Sequence, residues 1–169
     1  MTSTGTTASF STCDLCDLHK GDESGAFRVL PPVFHSYGGK EAFCGPVATV
    51  KCFEDNSVVK AMTETPGEGR VLVVDGGGSV RRALVGGNVA ATAARNGWAG
   101  VVVFGAVRDV AELRETPLGI RALALIPLPT EKRGQGQSDV AVLVSGVWVR
   151  PGEWLYADAD GMVVGAARL

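Results

Sequence analysis

Between Arg70 and Ile126 the chain alternates continuous apolar runs with stretches of helical composition. Arg70 to Asp75 and Gly100 to Phe104 are short runs rich in valine, the pattern of strands buried on both faces. Between them, Arg82 to Val85 reads as a short strand, and Val89 to Asn96 is an alanine-rich helix ended by Gly97. A short helix from Asp109 to Glu115 and a strand from Ala122 to Ile126 follow. Upstream, Ala42 to Phe53 alternates: Val47, Thr49, Lys51 and Phe53 face away from Ala48, Val50 and Cys52, which predicts a strand with Gly45-Pro46 at its start. Asp55-Asn56-Ser57 supplies the short polar side chains that open a helix, and Pro66-Gly67 stops it.

The ends of the chain read differently. Residues 1–10 are rich in Ser, Thr and Gly and are expected to form a disordered tail. Thr12 or Asp14 caps a short helix through His19, and Gly21 to Lys40 is an irregular connection. After a polar loop from Thr130 to Asp139 come short strands at Val140 to Val144, Val147 to Arg150, Trp154 to Ala157 and Met162 to Val164. Pro151-Gly152 and Asp158 to Gly161 turn the chain between them. Residues 11–169 are thus predicted to be a single α/β domain, layered, with a mixed sheet rather than a purely doubly wound one.

Composition narrows the classes. With 169 residues and a net charge of -2, the chain can bury a core without disulfide or metal staples. Arg81-Arg82 and Lys132-Arg133 are only pairs, so no basic run marks a nucleic-acid partner. No apolar run nears the roughly 18 residues that span a bilayer, and MTSTGTTASFSTCD lacks the charged-then-apolar order of a signal peptide, so a cytoplasmic location is expected. Cys13-x-x-Cys16 lacks the further ligands of a zinc site and the preceding strand of a redox motif, and the cysteines are expected to be free thiols.

The glycine-rich stretch VLVVDGGGSVRRALVGG, residues 71–87, invites a nucleotide reading and fails it. A dinucleotide fingerprint starting at Gly76 would need a third glycine where Arg81 stands, and no lysine completes a phosphate-binding loop. Gly86-Gly87-Asn88-Val89 is different, because it opens the alanine-rich helix, whose first N–H groups and positive dipole end can receive a small carboxylate. Arg108-Asp109 follows the strand GVVVFG at its C-terminal end, where ligand sites of open α/β sheets collect. A guanidinium there can hold a carboxylate, and an aspartate can hold a hard divalent cation.

These segments carry a resemblance to a known family. TCDLCD, FHSYGGKEAFCGPVATVKCFEDNSVV, RVLVVDGGGSVRRALVGGNVA, NGWAGVVVFGAVRDVAEL, GIRALALIP and PGEWLYADADGMVV together resemble the RraA-like family of ribonuclease regulators and 4-hydroxy-4-methyl-2-oxoglutarate aldolases. The resemblance implies a layered ββα fold of the swivelling-domain type and a homotrimer with active sites between subunits. It implies that Asp109 holds Mg²⁺ or Mn²⁺, that Glu112 is the acidic residue following it, and that Arg108 with the backbone of Gly86, Gly87, Asn88 and Val89 holds the 2-oxo acid. The aldolase pattern sets an aspartate with twenty residues between it and its Arg-Asp pair. Here that position is Gly87.

The implied activity is metal-dependent cleavage of 4-hydroxy-4-methyl-2-oxoglutarate to pyruvate, with oxaloacetate decarboxylation through the same pyruvate enolate. Of Lys20, Lys40, Lys51, Lys60 and Lys132, none falls within the site segments, which speaks against Schiff-base catalysis. The alternative is a non-catalytic protein that binds and inhibits a ribonuclease. A third reading attached to the family, methyl transfer in menaquinone synthesis, needs a methyl-donor pocket that the failed glycine fingerprint does not supply. Asp158-x-Asp160-Gly161 lacks the later ligands of a calcium loop and reads as a hairpin turn. His19 and His35 read as surface or packing residues, and the three tryptophans as packing residues.

Overall fold

The computed structural model describes residues 9–169; the first eight residues of the predicted tail lie outside the described residues. Phe10, placed in that tail by composition, packs edge-on against Tyr156 with ring centroids 5.3 Å apart. Four helices and twelve strands follow in the order α1 (Thr12–His19), β1 (Phe27–Val29), β2 (His35–Ser36), β3 (Phe43–Lys51), α2 (Ser57–Thr63), β4 (Val71–Asp75), β5 (Ala83–Val85), α3 (Gly87–Arg95), β6 (Gly100–Val107), α4 (Val110–Glu115), β7 (Gly119–Leu125), β8 (Gln137–Ser138), β9 (Val142–Val144), β10 (Val147–Val149), β11 (Trp154–Asp158) and β12 (Gly161–Gly165).

The valine-rich runs form the centre of the fold. Strands β3, β4, β6 and β7 are parallel neighbours, and β5 pairs in parallel with β6. Val71 to Val74 and Val101 to Val103 are fully buried, as runs covered on both faces must be. One face packs under α2, α3 and α4 through Val50, Leu72, Val74, Leu84, Ala90, Val103 and Leu113. The other carries Val47, Val71, Val73 and Val102 against Val142, Val149, Leu155 and Val164 of the C-terminal strands. The result is the layered ββα arrangement.

Gly45-Pro46 stands within β3, not at its start. Phe43 to Pro46 pair antiparallel with β11, and from Val47 onward the strand pairs in parallel with β4. Proline has no N–H to give a ladder, so it is tolerated where the pairing partner changes. A Cβ at Gly45 would strike the carbonyl oxygen of Gly69. One strand therefore serves both sheets. Other departures from the sequence reading are local. The cap of α1 is Ser11, whose hydroxyl accepts the Asp14 N–H at 3.3 Å. The segment from Gly21 to Lys40 contains the short strands β1 and β2, and the polar loop after Thr130 contains β8. Asp158 to Gly161 is a hairpin turn between β11 and β12. Trp98 is buried, whereas Trp148 is about half exposed.

Candidate active site

Parallel pairing of β5 with β6 assembles the site. Ala83 lies beside Ala106 and Val85 beside Val107, and the Arg108 N–H donates to the Val85 carbonyl at 3.0 Å. Gly86 and Arg108, 22 positions apart in sequence, therefore leave the sheet side by side. The triple glycine takes no part. Gly77 and Gly78 have φ of 68° and 73°, Gly77 N–H is held by Asp75, and Gly78 N–H by the Phe104 carbonyl. That is a structural turn, as the failed fingerprint implied.

Helix α3 begins at Gly87, two residues earlier than its alanine-rich composition shows. Gly86 at its N-cap has no side chain to offer, and the missing acceptor comes from another element. Asp109 Oδ2 accepts the Gly87 N–H at 2.9 Å, so a carboxylate from the end of β6 caps α3. Asp109 itself has φ 63° and ψ 46°, the left-handed region that non-glycine residues rarely adopt and that costs energy to maintain. Oδ1 has no hydrogen-bond partner among the described residues, and neither do the N–H groups of Asn88 and Val89, the next two donors of the helix end. Arg108 Nε lies 3.9 Å from Asp109 Oδ2, and its Nη1 donates to the Pro127 carbonyl at 3.4 Å.

A cavity of about 140 Å³ opens at this point. Gly86, Asn88, Val89, Arg108 and Asp109 line it, as do Asn56 and Lys60 of the α2 region and Pro129, Thr130 and Lys132 of the loop after β7. Pockets for cofactors and drug-sized molecules run to roughly 300–1,000 Å³, so this one is sized for a small acid. The structure corrects the sequence reading twice here. Lys60 and Lys132 do reach the site, brought in by tertiary folding from outside its segments. Both are exposed and Lys60 is ion-paired with Glu64 at 2.6 Å, so neither has the desolvated setting of a Schiff-base lysine. Glu112, for its part, does not line this cavity. It stands in the first turn of α4 and lines with Gly87 the adjoining groove between α3 and α4.

The loop bearing Lys132 is clamped. Asp55, buried at 2% exposure, accepts from Ser57 N–H and Oγ at 2.9 and 2.6 Å and from the backbone N–H of Arg133 and Gln135 at 2.8 and 3.1 Å. Burial alone would raise its pKa, but these donors outweigh it and hold the carboxyl at about 2. Thr130 Oγ1 donates to Asn56 Oδ1 at 2.8 Å, and Asn56 Nδ2 donates to the Leu84 carbonyl at 3.0 Å. The sequence reading saw Asp55-Asn56-Ser57 only as a helix start.

The RraA-like family model, described as aldolase/RraA, matches residues 12–164. The chain belongs to the RraA-like family. A protein of Albidiferax ferrireducens named "Putative 4-hydroxy-4-methyl-2-oxoglutarate aldolase" is 69% identical, with 96% of this chain and 99% of that protein covered. A Burkholderia multivorans protein of the same name is 56% identical over 95% of this chain and 98% of its own. Among solved structures, one described as the RNA-processing inhibitor RraA from Thermus thermophilis superposes with a TM-score of 0.90 at 48% identity, covering 95% of each chain. Another, described as an S-adenosylmethionine: 2-dimethylmenaquinone methyltransferase from Geobacillus kaustophilus, gives 0.89 at 44% identity, covering 95% of this chain and 97% of that one. RraA-like members thus carry names from a lyase, an inhibitor and a methyltransferase, and the site geometry has to choose among them.

Proposed function

We propose that this RraA-like protein is a divalent-metal-dependent lyase that cleaves 4-hydroxy-4-methyl-2-oxoglutarate to pyruvate and decarboxylates oxaloacetate through the same enolate, acting as a homotrimer. The observation that carries the reading is Asp109: strained backbone, one carboxylate oxygen fixed on the Gly87 N–H, the other unpartnered beside Arg108 and a small cavity. Backbone strain of this kind clusters at active sites and ligand clamps.

The donor set suits a hard cation held lightly. No group of three metal-ligating side chains exists among the described residues, and Mg²⁺ commonly binds through one or two carboxylates while water and substrate complete its shell. Asp109 Oδ1 would hold Mg²⁺ or Mn²⁺. When bound, that ion supplies Lewis acidity at the 2-oxo group. The chain's own residues supply the remainder. Arg108 binds the substrate carboxylate, and the free N–H groups of Asn88 and Val89 orient its oxygens and stabilise the negative charge that develops as the carbon–carbon bond breaks.

Purified protein with Mg²⁺ is expected to release pyruvate from both substrates and to lose that activity with chelator. Absence of pyruvate release from either would sink the reading. The likeness to the Thermus inhibitor favours a second reading, binding to a ribonuclease. Chelator separates the two, because a purely protein–protein contact would survive it.

A further inference from the structure

We propose that Lys132, supported by Lys60, determines substrate choice by binding the second carboxylate of a dicarboxylic 2-oxo acid. The inference rests on the 2-oxo acid reading of the cavity and adds to it a residue from a loop that no site motif contains.

Charge is the first argument. The cavity is lined by three cationic side chains, Lys60, Arg108 and Lys132, and by one carboxylate, Asp109; with Lys60 paired to Glu64, Arg108 and Lys132 are the two cations left to receive anions. A monocarboxylate satisfies one of them. A dicarboxylate satisfies both, and a second carboxylate brought to an unpaired ammonium gains a charge-assisted hydrogen bond. Arg108 stands at the end of β6 with Asp109, beside the helix end suited to the carboxylate next to the 2-oxo group. The lysines arrive on different elements, α2 and the loop after β7, and form a second wall.

Availability is the next argument. Lys60 is engaged by Glu64 at 2.6 Å. Glu131 pairs with Arg133 and Arg82, while Lys132 between them enters no ion pair among the described residues. Lys132 is therefore the cation with charge to give.

Placement is the last. An exposed lysine on a free loop would be a weak and mobile partner, but residues flanking Lys132 are fixed on both sides. Thr130 is tied to Asn56, and the Arg133, Gly134 and Gln135 N–H groups are tied to Asp55 and Ser57. Asp55 is buried and accepts two of these bonds, from Arg133 and Gln135, so the loop is set before substrate enters, which reduces the ordering cost of binding.

The test is calorimetric binding of 2-oxoglutarate and of 2-oxohexanoate, its near-isostere without the distal carboxylate, with and without Mg²⁺. It requires no turnover, so a failed aldolase assay leaves it intact. The parent protein is expected to bind 2-oxoglutarate about tenfold more tightly than 2-oxohexanoate. Lys132→Met should bring the two affinities together with 2-oxohexanoate unchanged, and Lys132→Arg should keep the preference. Lys60→Met should reduce it less, because Glu64 already holds that ammonium. Equal affinities in the parent, no binding of either acid, a preference that survives Lys132→Met, or an equal loss for both acids would each overturn the assignment.

Discussion

The Glu112 carboxylate lies over Gly87 so closely that a Cβ at position 87 would collide with its Oε2. The aldolase pattern of the resemblance implies an aspartate at this position, and here an acid from the next helix covers it instead. Glu112 is the far end of a flexible side chain, so it can be pushed aside, but two carboxylates would then share the start of α3 with Asp109.

Restoring the family aspartate is therefore not a simple repair. Gly87→Asp alone is expected to lower the melting temperature, with a cost on the order of 1 kcal/mol from like charges and displaced Glu112. Adding Glu112→Ala should return most of that stability and give higher pyruvate release than Gly87→Asp alone. Thermal unfolding and a steady-state pyruvate assay on the single and double variants check both statements.

Asp109 has a structural task as the cap of α3 and, in the proposed function, a chemical one, and two variants separate them. Asparagine tolerates the left-handed region and its amide oxygen can still accept the Gly87 N–H. Asp109→Asn should melt within a few degrees of the parent while kcat/KM falls about a hundredfold or more, the loss of the anionic oxygen. Asp109→Ala should lose activity equally and stability as well, by about 1–2 kcal/mol, through the vacated cap and the strained backbone.

Asp55 gives the fold an acid limit. Its carboxyl titrates at about 2 in the folded chain and at about 4 in an unfolded one, so the depressed value contributes stability that is fully present above pH 4. That contribution is lost as pH falls from about 4 to about 2. Asp55→Asn should remove this part of the pH dependence. Because the same carboxylate holds the loop at Arg133 and Gln135, hydrogen exchange of those two amides should rise in the variant at neutral pH.

Cys52 should be chemically silent. Burial first, then the neighbouring Asp75 and Asp55 carboxylates, push its thiol up to about 12. Thiolate is the reactive form, so iodoacetamide at pH 8 should leave Cys52 unmodified in folded protein and label it only after denaturation. Labelling of the native protein, read by peptide mass, would contradict the burial seen here.

The central strands were legible because burial on both faces leaves an unbroken apolar run, as in Val71 to Val74, and α3 because alanine composition followed by Gly97 marks its end. Arg108 and Asp109 were legible from their place after such a strand. Two-residue strands such as β2 and β8 are too short for any period to show. Lys60 and Lys132 could not be found along the sequence, since each lies more than twenty positions from Arg108 and only the pairing of β5 with β6, and the loop laid across α2, bring them together. Asp55 did carry a local signal. Its bonds to Ser57 are those of a helix start, but its bonds to Arg133 and Gln135 span about eighty positions.

The passage of β3 from one sheet to the other at Gly45-Pro46 also restricts how such a chain can be rearranged. New termini or an inserted module placed between Phe43 and Lys51 would sever the seam common to both layers. The hairpin tip at Ser145-Gly146, where a Cβ on Gly146 meets nothing within 4 Å, has no such burden. Grafts and circular permutations of this fold should survive at that tip and fail in the seam.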